Sequence, residues 1–270
     1  MNSKYNLLFI IFSIIVFSSC VENTIDETGT VNSQDYLIAE NIFNDINRLV
    51  EDAFIDNGEN KSCPKYTIMN VDTSNQDTII VDFGDGNPDE CLSYGKERKG
   101  KLIITYTGKF RDSLSVITTT FDQYYVNNNL VQGTSIITNN GKNEIGNINF
   151  TIEVISASIL GTGKINYNSN KNREWLNGFT TFNDPLDDIY SVSGSANGNS
   201  SNGQNFNVNI TQKLYVDLSC LFENTCAITS GEAELNPNGY SKRIINYGDS
   251  ICDCNYSVTL NDNEYLLVTD

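Results

Sequence analysis

The sequence predicts a mainly β chain: an antiparallel meander sheet (curved sheet, sandwich or partial barrel) with one N-terminal helix packed on it. Three observations carry this. Apolar residues recur with period two through much of residues 59–270, as in strands with one buried face and one wet face. Clusters of Asn and Gly, which tolerate positive φ, punctuate those runs at short intervals and read as hairpin tips. Ahead of them, one segment steps by three and four residues, the period of a helix.

The elements follow in order. Residues 1–19 read as a secretion signal: a polar start with Lys4, then an apolar run from Leu7 to Phe17. That run is shorter than the about 20 apolar residues a spanning helix needs. Phe17-Ser18-Ser19-Cys20 resembles a bacterial lipobox, which implies that Cys20 is lipid-modified and becomes the new N-terminus. The implied partner is a membrane, the outer membrane with its outward face preferred, held by an anchor rather than a spanning segment. Residues 20–34 carry Glu22, Asp26 and Glu27 without apolar periodicity and read as a flexible acidic tether.

Residues 35–58 are assigned to the helix. Ala39, Ile42, Phe43, Ile46, Leu49, Val50, Ala53 and Phe54 fall on one face, with Glu40, Asp45, Arg48 and Glu51 between them, and Asn57-Gly58 supplies the stop. Residues 59–270 form one antiparallel β domain without an internal linker. Its clearest strand alternates Phe206, Val208, Ile210, Gln212, Leu214, Val216, Leu218 and Cys220 against polar neighbours. Similar alternation runs through Leu102, Ile104, Tyr106 and Phe110, and through Phe150, Ile152 and Val154. Hairpin tips are expected at 127–129, 139–141, 197–203, 236–239 and 261–263.

Charge and composition exclude several function classes. The chain has 270 residues, 34 acids against 17 bases, a formal charge of -17 and no histidine. Such a surface repels a phosphate backbone, so nucleic acid is not an expected partner. Without histidine there is no Ser/His/Asp or Cys/His catalysis and no His-ligated metal.

Two segments look alike. Cys63, a strand, a turn, a strand, Phe83-Gly84-Asp85 and Cys91 are matched by Cys226, a strand, a turn, a strand, Tyr247-Gly248-Asp249 and Cys252. A hairpin brings its two ends together, which places each cysteine pair to bridge the open end. With Cys20 lipidated, the other six cysteines form an even set in an exported chain. The expected pairing is Cys63 with Cys91, Cys226 with Cys252 and Cys220 with Cys254, with Cys220 to Cys226 as the rival.

The run Val81-Asp82-Phe83-Gly84-Asp85-Gly86, followed by Arg98-Lys99-Gly100-Lys101 and the strand ending Thr105-Tyr106-Thr107-Gly108, resembles a group of uncharacterised cell-envelope lipoproteins of Bacteroidota. The likeness extends more loosely to residues 121–140 and 247–254. It implies export and a lipid anchor, and it brings no catalytic assignment.

The candidate chemistry is therefore sparse. Asp82, Asp85, Asp89 and Glu90 gather around a Gly-containing turn, with Asp249 and Asp253 at the equivalent place in the second segment; carboxylates so grouped could hold calcium, though Asp-Gly is also ordinary turn chemistry. No other cofactor is implied. Trp175 and Tyr190, with Tyr106, Tyr124 and Tyr125, could stack on sugars, although aromatics in a β protein are more often core. A pair of carboxylates could hydrolyse a glycosidic bond, but 34 scattered acids select no pair. The expected role is a non-catalytic binding or structural module of the envelope, partnered by a glycan or an envelope protein. The alternatives are a glycan-binding protein with or without calcium, and a carboxylate-based glycoside hydrolase.

Overall fold

The structure is a computed structural model that describes residues 29–55, 63–69, 77–86, 92–93, 95–181, 184–223 and 226–267. The chain opens with helix α1 (Val31–Ile55) and continues as strands β1 (Lys65–Met69), β2 (Asp77–Asp82), β3 (Leu92–Ser93), β4 (Lys96–Tyr106), β5 (Val116–Val126), β6 (Asn129–Lys142) and β7 (Ile148–Leu160). There follow β8 (Lys164–Asn177), β9 (Ile189–Asn199), β10 (Asn205–Asp217), β11 (Ile228–Pro237), β12 (Arg243–Asp249), β13 (Tyr256–Leu260) and β14 (Asn263–Leu267), with a 3-10 helix at Leu218–Glu223 after β10.

Each strand pairs with the next in an antiparallel meander, except that β3 pairs with β4 alone and β2 pairs past it to β4. The outermost strands β1 and β14 do not pair, so the result is one open, curled sheet rather than a sandwich or a closed barrel. The expected mainly β fold with one N-terminal helix is what the chain adopts. Two of the hairpin tips, Asn127-Asn128 and Asn261-Asp262, hold both residues at positive φ between adjoining strands, as a two-residue turn matched to strand twist requires. The 139–141 cluster is instead still within β6, and the turn falls at Asn143–Asn147, where the Asn143 side-chain oxygen accepts from two backbone N–H groups.

The sheet needs sharp local bends to curl, and glycine supplies them. At the β4 bulge, Gly100 has φ +81 and a Cβ there would lie 1.9 Å from the Gln123 carbonyl oxygen. At the β10–β11 irregularity, Gly231 has φ +122 against the backbone of Lys213 and Leu214. The long β10 alternation is interrupted there: Phe206, Val208, Leu214 and Val216 are buried, whereas Gln212 is exposed.

Curling brings the sheet round α1 on several sides. Tyr36 meets Phe206 of β10, Phe43 meets both Phe121 of β5 and Tyr167 of β8, and Phe54 meets Tyr106 of β4. The helix begins at Val31, so the last residues assigned to the tether are helical. Its polar residues depart further from expectation: Glu40, Asp45, Arg48 and Glu51 are as buried as the apolar stripe. A stripe facing a flat sheet would leave them in water; inside the curled sheet the wet part of the helix shrinks to a strip through Gln34, Ile38, Asn41 and Asn44 that does not include them.

The cysteine pairing is also corrected. Cys220 joins Cys252 and Cys226 joins Cys254, both with Cα atoms 5.2 Å apart, rather than the reverse. The expected pairing assumed that β10 runs on through Cys220. The strand ends at Asp217, and the 3-10 helix carries Cys220 out of the hairpin register. The β11–β12 register slips by one residue between Glu232–Asn246 and Ser230–Asp249, and β12 ends at Asp249, so Cys252 and Cys254 lie beyond the ladder from which the pairing was read. Cys63 is also disulfide-bonded, and its expected partner Cys91 lies outside the described residues, as do Cys20 and residues 1–28.

Candidate functional site

Buried charge on α1 is met by buried charge on the sheet. Lys171 and Arg173 stand on the face of β8 that also buries Tyr167 and Trp175, because residues of one parity share a face. Lys171 pairs with Glu40, which also accepts from the Tyr167 hydroxyl at 3.2 Å. Arg173 pairs with Glu51 at 3.5 Å. Five residues from Glu40, which is about 140° round a helix, Asp45 points at a different strand. There it accepts two hydrogen bonds of 2.8 Å from Arg98 of β4, with Arg48 at 3.1 Å. At the helix start, Asp35 accepts from the backbone N–H and hydroxyl of Ser201. Burial raises the Asp45 carboxyl, but Lys96, Arg98 and Arg48 together hold it well below the usual carboxylate range.

A second cluster lies beyond Arg173. The Tyr190 hydroxyl donates to Glu51 at 2.9 Å and lies 3.3 Å from Asp188, whose other oxygen accepts from Trp175 Nε1 at 3.0 Å. Burial, and then the neighbouring Glu51 charge, push the Asp188 carboxyl up to about 7 against the pull of Trp175, Arg173 and Tyr190. Burial lifts Glu51 above its ordinary range as well, despite Arg173. A carboxyl with a raised folded-state pKa stabilises the fold fully below its ordinary value of 3.8 and loses that contribution as pH rises through about 7. Trp175 is the only tryptophan, so its emission reports this proton directly. Its fluorescence is expected to titrate with a midpoint near 7 in the native protein. The transition should vanish in Asp188→Asn, and a titration unchanged by that substitution would remove Asp188 as its source.

Trp175 and Tyr190, expected as candidate sugar platforms, are both fully buried. Trp175 packs on Phe110, Phe150 and Tyr190, with Arg111 over its ring at 4.6 Å, and Arg173 covers Tyr190 at 3.4 Å. Neither ring faces solvent, because the curled sheet turns this face of β8 and β9 inward. Asp82 is engaged by Lys101 at 3.0 Å and by the Gly84 N–H at 2.9 Å, which is turn chemistry. Asp85 is exposed, and Asp89 and Glu90 lie outside the described residues. Among the described residues no group of three acidic or cysteine side chains is placed to hold a metal ion.

What the sequence did not point to is a cavity of about 350 Å³, partly open to solvent, between α1 and the sheet. One wall is apolar: Val192 of β9, Val216 of β10, Leu218 and Leu221 of the 3-10 helix, and Ala227 and Ile228 at the start of β11. Cys226 and Cys254 line it too, so their disulfide fixes the edge of that wall. The rest of the lining is polar: Asn41, Asn44, Asp45 and Arg48 from α1, Lys96 from β4 and Asn127 from the β5–β6 turn, with Arg173 of β8 directly beside Val192 in the β8–β9 register. Glu51 and Asp188, the buried acid pair, do not line it.

No known protein family, curated protein or solved structure matches this chain. Function is therefore argued from the site alone.

Sequence signals for part of this site exist. Lys171 and Arg173 fall on the buried parity of their strand, and a cation on an apolar face implies a buried counter-charge. The cavity wall has no such signal, since it is assembled from the end of one strand, a 3-10 helix and the start of the next.

Proposed function

We propose that this chain is a non-catalytic binding module of the cell envelope, held at the membrane by lipid on Cys20, and that it binds a small ligand between α1 and the sheet. The observation that supports this is the cavity. Its volume of about 350 Å³ falls within the size range of small-molecule sites, and it combines an apolar wall with a few convergent polar groups. Two disulfides accord with folding outside the cytoplasm. The lipobox resemblance at 17–20 supports the anchor. Among the described residues no helix is long and apolar enough to cross a membrane.

The hydrolase alternative draws less support, because the buried acid pair has the tyrosine hydroxyl between its members and lies away from the cavity. A solvent-exposed sugar platform is not built by Trp175 and Tyr190.

Binding is tested with N-phenyl-1-naphthylamine, a neutral apolar fluorophore. Its emission should rise saturably on titration into the purified full chain. The rise should be lost in Ala227→Trp, which fills the cavity, while the circular dichroism spectrum is unchanged. Equal enhancement by wild type and a folded Ala227→Trp would place the probe elsewhere and refute the cavity as the site. The anchor is tested by labelling cells with radioactive palmitate: the chain should incorporate label, and Cys20→Ser should abolish it.

A further inference from the structure

The chemistry of the cavity's wall narrows the ligand class. The protein as a whole carries -17, yet the charged side chains lining the cavity are three cations, Arg48, Lys96 and Arg173, and one carboxylate, Asp45. That carboxylate is already committed. It receives two 2.8 Å hydrogen bonds from Arg98 and one of 3.1 Å from Arg48, while Arg48 also binds Asp52 at 2.7 Å.

Lys96 is placed differently from the two arginines. Its ammonium lies 3.8 Å from Asp45, within ion-pair range but too far for a hydrogen bond, and its side chain is 29% exposed. An ammonium has three donors, so Lys96 can offer them to a group in the cavity. Burial, with Arg98 and Arg48 alongside, pulls the Lys96 ammonium below the usual lysine range even against the attraction of Asp45. An added anion would relieve that crowding of positive charge. Leu218, Leu221 and Ile228 line the same cavity and can cover a hydrocarbon body.

We propose that the cavity takes an amphipathic monoanion of medium-chain carboxylate type, its head on Lys96 and its apolar body against Leu218, Leu221 and Ile228. This rests on the binding reading above and adds the sign of the ligand's charge and its orientation.

The test is displacement of N-phenyl-1-naphthylamine by octanoate and by 1-octanol, which share a chain and differ in charge. Octanoate is expected to displace the probe at a concentration about tenfold lower than octanol at low ionic strength, as one charge-assisted hydrogen bond allows. The advantage should shrink with added salt. Lys96→Gln, shown to be folded by a circular dichroism spectrum matching wild type, should bring octanoate down to the level of octanol, each displacement being read against that variant's own probe affinity; Lys96→Arg should restore the preference. Equal displacement by the two compounds in wild type, or a preference for octanoate undiminished in Lys96→Gln, overturns the anion assignment while the binding module stands. Failure of the probe to bind wild type removes both.

Discussion

Asp45→Ala is expected to destabilise the protein by about 3–5 kcal/mol, the cost of leaving buried cations without their counter-charge. Arg98 is fully buried and spends two hydrogen bonds on this carboxylate, and Arg48 is nearly as buried beside it. In a domain of this size that loss lowers the melting temperature by on the order of 10 °C. Asp45→Ala combined with Arg98→Met should recover part of it, because the most deeply buried cation left without its counter-charge is then removed as well. The sign of the pH dependence follows from the same geometry. Asp45 is held below its ordinary carboxylate value, so its contribution is complete above that value and is lost as pH falls beneath it. The wild type should therefore lose stability on acidification below about pH 4 more steeply than Asp45→Ala. Thermal denaturation across that range checks both statements; a melting temperature unmoved by Asp45→Ala would mean that α1 is not clasped as described.

Trp175→Ala is expected to cost about 3–5 kcal/mol through the cavity it leaves. The indole is completely buried against Phe110, Phe150 and Tyr190 and lies under Arg111. Its removal also takes from Asp188 a hydrogen bond that favours the ionised form. Trp175→Phe keeps most of the packing and loses the N–H, so its cost should be nearer 1–3 kcal/mol, roughly that of an orphaned buried acceptor. Denaturant unfolding followed by far-ultraviolet circular dichroism measures both, since the intrinsic fluorophore is gone. Were Trp175 a surface platform for sugar, alanine there would change stability by only a few tenths of a kcal/mol.

Strand parity, hairpin chemistry and the helical stripe were legible along the chain because each is local. Phe206 and Val208 bury as their alternation says, and Asn127-Asn128 turns as its residue types demand. The failures all involve how far the sheet curls. Glu40, Asp45 and Glu51 read as a wet face by hydropathy, yet curling encloses them, and the cations that receive them lie on strands far along the chain. The same curl turned Trp175 and Tyr190 inward. The disulfides crossed because a 3-10 helix, which leaves little periodic trace over six residues, displaced Cys220 from register. The cavity was illegible for a related reason: Lys96 and Ile228 are more than a hundred positions apart, and no repeat or spacing links them.

Crystallography shows directly whether an anion with an apolar tail binds between α1 and the sheet. Crystals of the full chain grown with 8-bromooctanoate carry an anomalous scatterer at the tail. The bromine is expected beside Leu221 and Ile228, with the carboxylate within hydrogen-bonding reach of Lys96. A bromine peak confined to the outer face of the sheet, or a tail directed at Lys96 with the carboxylate in solvent, would contradict it.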